Sequence, residues 1–401
     1  MTPIASPTAG RINGIDILRG LAIFFVLMNH VNIRLFIAKV PYTNGLPDQL
    51  VSSLVWNGRL GVQIFFVLSG FLITSTTIRR WGSLSRVSVR GFYLMRFARI
   101  APLLLLLLTV LSVLHIAQFK DFVVSSKTGG LAQALFAALT FHINVLEAKW
   151  GYLPGNWDIL WSLSVEEVFY LFFPLVARLF GHGKMLIFLL TGLVALGPFA
   201  RTVLTHGNEI WKEYSYLGGM DAIALGCLTA LLVSRFRFSR LILWTLGSLG
   251  ISLLVFCVVF SLRTEAWGLD RIGLGMTILA LGTCMIAATA AQTKWKSTHV
   301  LYPFLTLGQR SYEVYLTHMF VVFGFFQLFV LAGKPMGAVL PLFIVVVVIA
   351  GLLGEVVARF YSESLNRFIR DRWGNRPSFV GSLLEADTGI VDRSAQNEWS
   401  P

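Results

Sequence analysis

An arginine and a histidine eleven positions apart, Arg19 and His30, sit in the apolar run GIDILRGLAIFFVLMNHV, residues 14 to 31. On a helix that spacing is about three turns and ~16 Å of rise, so the two side chains fall on nearly one face at opposite ends of a span. A histidine with its ordinary pKa of about 6.5 suits general-base work at neutral pH. A guanidinium can hold an anion or stabilise developing negative charge. Asp16, three residues before Arg19, can pair with it. Arg96 and Arg99 stand three apart in FYLMRFARIAPLLLLLL, where two guanidinium groups share a helix face and can grip one polyanion such as pyrophosphate. In WDILWSLSVEEVFYLFFPL, residues 157 to 175, Trp157 and Trp161 read as interface aromatics. Glu166 and Glu167 follow at two to three turns into apolar sequence, too deep for anchors. Ser162, four residues before Glu166, is placed to hydrogen-bond it. Neighbouring helix positions point about 100° apart, so one of the two carboxylates faces the same cavity as His30, and Glu166 is preferred.

Two further stretches carry polar groups. LGGMDAIALG puts Asp221 just inside an apolar run, and LGQRSYEVYLTHMF holds Ser311, Tyr312, Glu313, Tyr315 and His318. Ser311, Tyr315 and His318 share a face at spacings of four and three. Each group also has a plainer reading. Asp16 and Arg19 could anchor a helix at the interface, Arg96 and Arg99 could set orientation, and Ser, Tyr and His could hydrogen-bond between helices. An ionisable group inside a membrane helix is nonetheless costly enough to raise a functional question.

The elements that must position these groups are membrane helices. Of 401 residues, 56% are hydrophobic and 13% charged, about half the charged share of soluble domains. At about 20 apolar residues per span, ten helices are expected near 16–36, 60–78, 98–117, 158–177, 185–204, 216–234, 241–262, 272–291, 303–332 and 336–358. The net charge of +13 is explained by basic residues in alternate loops, densest at Arg79, Arg80, Arg86, Arg90, Arg96 and Arg99, rather than by nucleic acid. That asymmetry predicts cytoplasmic N- and C-termini. Residues 131–146 are short for a span and are expected to form an interfacial or re-entrant helix within an outer loop. The domain plan is a flexible cytoplasmic segment 1–12, a membrane domain 13–372 and a polar, disordered tail 373–401. No cleavage pattern precedes the first apolar run, which is read as a retained span. Cys227, Cys257 and Cys284 lie in apolar runs without metal-type spacing, and no metal site is expected. No nucleophile elbow and no glycine-rich phosphate loop appears.

Together the Arg19–His30 pair, GVQIFFVLSGFLI (61–73), Arg96-x-x-Arg99, WSLSVEEVFYLFFPL and SYEVYLTH (311–318) resemble, in order and over about residues 12 to 370, the acyltransferase-3 family of integral membrane acyltransferases. The resemblance implies a multi-pass protein of the bacterial inner membrane with ten helices. It implies an acyl-CoA, usually acetyl-CoA, as co-substrate, with no permanently bound cofactor, and O-acylation of a cell-envelope carbohydrate or glycolipid. It also implies a catalytic His30, with Arg19 in its motif, and donor contacts from Arg96 and Arg99. Glu166 would then orient and charge-stabilise the imidazole. Asp16, Glu167, Asp221, Ser311, Tyr315 and His318 are possible site residues. Members of the family often carry an arginine two positions before the aspartate of the sixth span, where this chain has Gly219. His30 could act on the acceptor hydroxyl as base or take the acyl group itself. A secondary transporter of a lipid-linked sugar or organic anion is the alternative from another class; it would show inverted repeats and paired broken helices.

Overall fold

The computed structural model describes residues 11–293 and 298–373, so the N-terminal segment, save its last two residues, and the tail from 374 lie outside the described residues. Among the described residues, ten helices are long and apolar enough to cross a membrane. We label them α1 (Asn13–Ile37), α2 (Gly58–Trp81), α3 (Val89–Ile116), α4 (Leu160–Phe180), α5 (Lys184–Thr202), α6 (Tyr216–Arg235), α7 (Arg240–Val259), α8 (Gly275–Gln292), α9 (Ser311–Leu331) and α10 (Val339–Val357). All regular structure among the described residues is helical.

The first helix is the hub. It packs against α2, α8, α9, α10 and the short helix Tyr302–Gln309, and buries Ile23, Val26, Leu27 and Val31. Apolar side chains gain little from leaving lipid, so close backbone approach has to hold such helices together. Glycine supplies it. A Cβ on Gly20 would lie 1.8 Å from the Phe304 carbonyl oxygen, and one on Gly308 1.6 Å from the Asp16 carbonyl oxygen. A matching pair, Gly70 and Gly226, lets α2 and α6 cross with similar intimacy. These two crossings flank Arg19 and Ser69 and so fix where both side chains project.

Three local departures from the sequence reading have physical causes. The ninth span, expected as one helix over 303–332, breaks at Arg310, whose backbone leaves helical geometry (φ −111°, ψ 15°). Its guanidinium is pinned there by Glu355 (2.6 Å) and Glu363. The tenth span does not stop near 358; a π turn, Ala358–Ser362, leads into the helix Glu363–Trp373 and brings both carboxylates to Arg310. Residues 131–146 form two pieces, Gly130–Leu139 and Ile143–Trp150, the first bent by 93° from the segment Lys120–Thr128. Ten helical residues rise about 15 Å, half a hydrocarbon core, so neither piece crosses alone.

Candidate active site

Two cavities meet at α1. The first, of about 270 Å³, is lined by Arg11 and Arg19 from the N-terminal part of the chain, Arg96 and Arg99 from α3, Ser69 from α2, Glu166 and Tyr170 from α4, and Ser311, Tyr312 and Tyr315 from α9. The second, of about 1020 Å³, is lined by His30, Asn29 and Arg34 from the C-terminal half of α1, with Trp56, Arg59, Asp158, Trp161, Tyr214 and Tyr315 among its other walls. Val62 and Tyr315 are the residues that line both.

The first cavity concentrates positive charge. Because α3 begins at Val89, Arg96 and Arg99 fall in its second and third turns and face the cavity together. Arg96 lies over the Tyr170 ring at 3.9 Å and Arg99 over the Tyr312 ring at 5.5 Å. Among the described residues neither has a hydrogen bond or an ion pair, and neither does Arg19. Glu166 is the nearby carboxylate. Its Oε1 accepts from Ser69 (2.8 Å) and its Oε2 from Tyr170 (3.3 Å). Guanidinium groups resting on aromatic faces with their N–H groups unengaged have the chemistry to receive a polyanion.

The second cavity is lined by His30. The Val26 carbonyl, which can only accept, lies 2.8 Å from His30 Nδ1, so that nitrogen carries the proton. His318 is treated likewise: its Nδ1 donates to the Tyr315 carbonyl (2.6 Å), leaving Nε2 as an acceptor 3.4 Å from His30 Nδ1. The rings meet edge to face, centroids 4.9 Å apart. His318 is fully buried behind His30. His30 Nε2 keeps its lone pair without a partner among the described residues, in a ring on the cavity wall, as a general base requires.

Several expected pairings are made differently. Glu166 does not orient His30; its two oxygens are held by Ser69 and Tyr170 on the arginine side, and the groups on His30 are Val26 and His318. Ser162 does not reach Glu166: its hydroxyl bonds the Tyr315 phenol (2.7 Å), which also donates to the Ile159 carbonyl (2.9 Å). Asp16 pairs with Arg11 (3.8 Å) instead of Arg19. Glu167 Oε1 and Ser311 Oγ are buried without a hydrogen-bond partner among the described residues.

Asp221 belongs to neither cavity. Fully buried, it takes a bidentate fork from Arg201 of α5 (3.0 and 2.8 Å) and a bond from Thr277 (2.9 Å). The same guanidinium donates to the Gly218 and Gly273 carbonyls. Arg201 escaped the sequence reading. The signal was present: an arginine inside the predicted fifth span and an aspartate inside the sixth, on helices joined by a short connection, neutralise each other most simply.

Outside the spans, Glu147 in the Ile143–Trp150 helix is fully buried. Its Oε1 accepts from the Leu153 N–H (2.9 Å), while Oε2 finds no N–H or O–H donor among the described residues and faces the Asp158 carboxylate. Burial first, and the Asp158 charge second, hold its carboxyl well above the usual range.

The described residues thus build an all-helical, multi-pass membrane fold in which an arginine-lined cavity and a histidine-lined cavity share a wall. A family model described as an acyltransferase domain matches residues 12–358, and the chain belongs to that family, acyltransferase-3. Curated relatives agree. The O-acetyltransferase OatA of Staphylococcus aureus strain NCTC 8325 is 24% identical over 378 residues, covering 88% of this chain and 57% of the relative. A putative O-acetyltransferase of S. aureus strain COL is 24% identical over 394 residues, covering 93% and 60%. The chain thus spans somewhat over half the length of these relatives. No solved structure gives a significant match. The chain is a multi-pass membrane protein of that family.

Proposed function

We propose that the protein moves an acyl group, acetyl foremost, from acyl-CoA to a hydroxyl of a cell-envelope carbohydrate or glycolipid, with the arginine cavity open to the cytoplasm. The observation that carries this reading is the contact of the two cavities at Tyr315, one lined by Arg19, Arg96 and Arg99, which have no ion-pair partner among the described residues, and the other by a histidine with a free Nε2. The printed names of the relatives, O-acetyltransferases, support acetyl as the group and oxygen as its destination.

CoA phosphates engage Arg96, Arg99 and Arg19, and the thioester arm points toward Tyr315. The acceptor enters the larger cavity. His30 Nε2 takes the proton of the acceptor hydroxyl as its oxygen attacks the thioester carbonyl. The tetrahedral intermediate collapses with C–S cleavage, and the imidazolium returns the proton to the departing thiolate, giving an ester and free CoA with no net proton. His318 and the Val26 carbonyl hold the tautomer this requires. Glu166 spaces the arginines through Tyr170 and its own charge. A base so placed contributes about 10² to 10⁴ in rate.

The test is thiol release from acetyl-CoA by the full chain in lipid vesicles, with mass spectrometry of envelope glycans from producing cells. His30→Ala should lower turnover by at least that factor and remove the added acyl mass. Wild-type turnover in His30→Ala refutes the assignment. Substrate flux without CoA release would point to transport instead.

A further inference from the structure

We propose that Val62 and Tyr315 form a selector for the cross-section of the transferred acyl group, an inference that rests on the acyl-CoA reading above. The acyl carbon must pass from the arginine cavity to His30, and these are the two residues that line both spaces. Both are held in place. The Tyr315 phenol is tied to the Ile159 carbonyl (2.9 Å) and the Ser162 hydroxyl (2.7 Å), and the edge of the Phe65 ring closes on it at 6.1 Å. Val62 is buried, 8% exposed, in the second turn of α2, and a β-branched side chain in a helix has essentially one rotamer. A passage walled by a locked ring and a locked isopropyl group cannot widen by rotation. A linear chain has about the girth of the unbranched cysteamine end of the pantetheine arm to which it is joined, and it follows the carbonyl into the roomy second cavity. A branch at the carbon next to the carbonyl widens the group at the narrowest point. The passage therefore sorts donors by branching and only weakly by length.

The isomers n-butyryl-CoA and isobutyryl-CoA isolate this property, since they share every atom type and differ in girth. One misplaced methylene in a fitted apolar site is worth about 10- to 200-fold. Thiol release by the full chain in lipid vesicles is measured with acetyl-, n-butyryl- and isobutyryl-CoA, each rate referred to acetyl-CoA in the same preparation. Wild type is expected to handle isobutyryl-CoA at least 10-fold less well than n-butyryl-CoA. Val62→Ala should raise the relative isobutyryl rate about 10-fold, and Tyr315→Phe, which unties the ring but keeps its bulk, should raise it less. Equal rates for the isomers in wild type, or an unchanged isomer ratio in both variants, overturns the selector while leaving the acyl-CoA reading intact. Absence of any His30-dependent thiol release from all three donors overturns that reading, and the selector with it.

Discussion

Asp221 tests whether a buried carboxylate here does chemistry or holds helices. In the structure it receives both arms of the Arg201 fork, Thr277 and the Ala222 N–H. Asp221→Leu removes the counter-charge and strands a guanidinium that is 8% exposed, with only Thr277 and the Gly218 and Gly273 carbonyls left to receive it. Breaking one side of a buried ion pair costs about 3–5 kcal/mol, which is about 10² to 10⁴ in the folded-to-unfolded ratio. Replacing both partners with apolar groups of similar volume is often neutral, so Asp221→Leu combined with Arg201→Met should recover most of that loss. The assay is thermal unfolding in detergent micelles, paired with thiol release per folded molecule. Either single variant should fall well below wild type in midpoint, and the pair should return to within about 1 kcal/mol. If Asp221→Leu kept its midpoint and lost turnover, or if the double variant were as unstable as the sum of the singles, the structural role would be wrong.

Arg96→Ala with Arg99→Ala should weaken acetyl-CoA binding, measured by calorimetry at low salt, by about 3 kcal/mol or more if each guanidinium makes a charge-assisted hydrogen bond to phosphate; equal affinity would empty that cavity of its donor. Glu147→Gln probes a carboxyl whose folded-state affinity for its proton is raised by burial. Its stabilising contribution is complete below the ordinary value of 4.5 and is lost as pH rises to the raised folded-state value, because the unfolded chain deprotonates first. The wild-type unfolding midpoint should therefore decline with rising pH above 4.5 more steeply than that of Glu147→Gln, and parallel curves would refute the raised proton affinity of Glu147. Gly308→Val forces a Cβ to 1.6 Å from the Asp16 carbonyl oxygen, so α1 and the Tyr302–Gln309 helix must separate. Overpacking of this kind costs at least about 1–3 kcal/mol, and a normal midpoint in a melting experiment would show the crossing to be looser than described.

Much of the frame was legible because lipid imposes it. Ten apolar runs of the right length can become little else, and the ten long helices fall on them. The i,i+3 spacing of Arg96 and Arg99 likewise told that they share a face, since helix geometry alone decides it. What could not be read were pairings between distant segments. Nothing near His30 announces that the group on its ring is His318, 288 residues away, or that Glu166 is taken up by Ser69, 97 residues before it. Asp16 shows the same limit at short range: Arg19 is the better partner by helix spacing, yet Arg11 takes the carboxylate. The break at Arg310 depends on Glu355 and Glu363, which a window of hydropathy centred on the ninth span cannot see.

The intimate crossing at Gly20 and Gly308 has a bearing on biogenesis. The helix that covers Asp16 and Gly20 leaves the ribosome about 290 residues after α1, and His318 later still. At about 5–20 residues per second, roughly 15–60 s separate the two. Throughout that interval α1 carries a histidine without its final neighbour and a glycine face without the helix that covers it. The seating of α1 therefore waits for the Tyr302–Gln309 helix, and the contact of His30 with His318 for the helix after it.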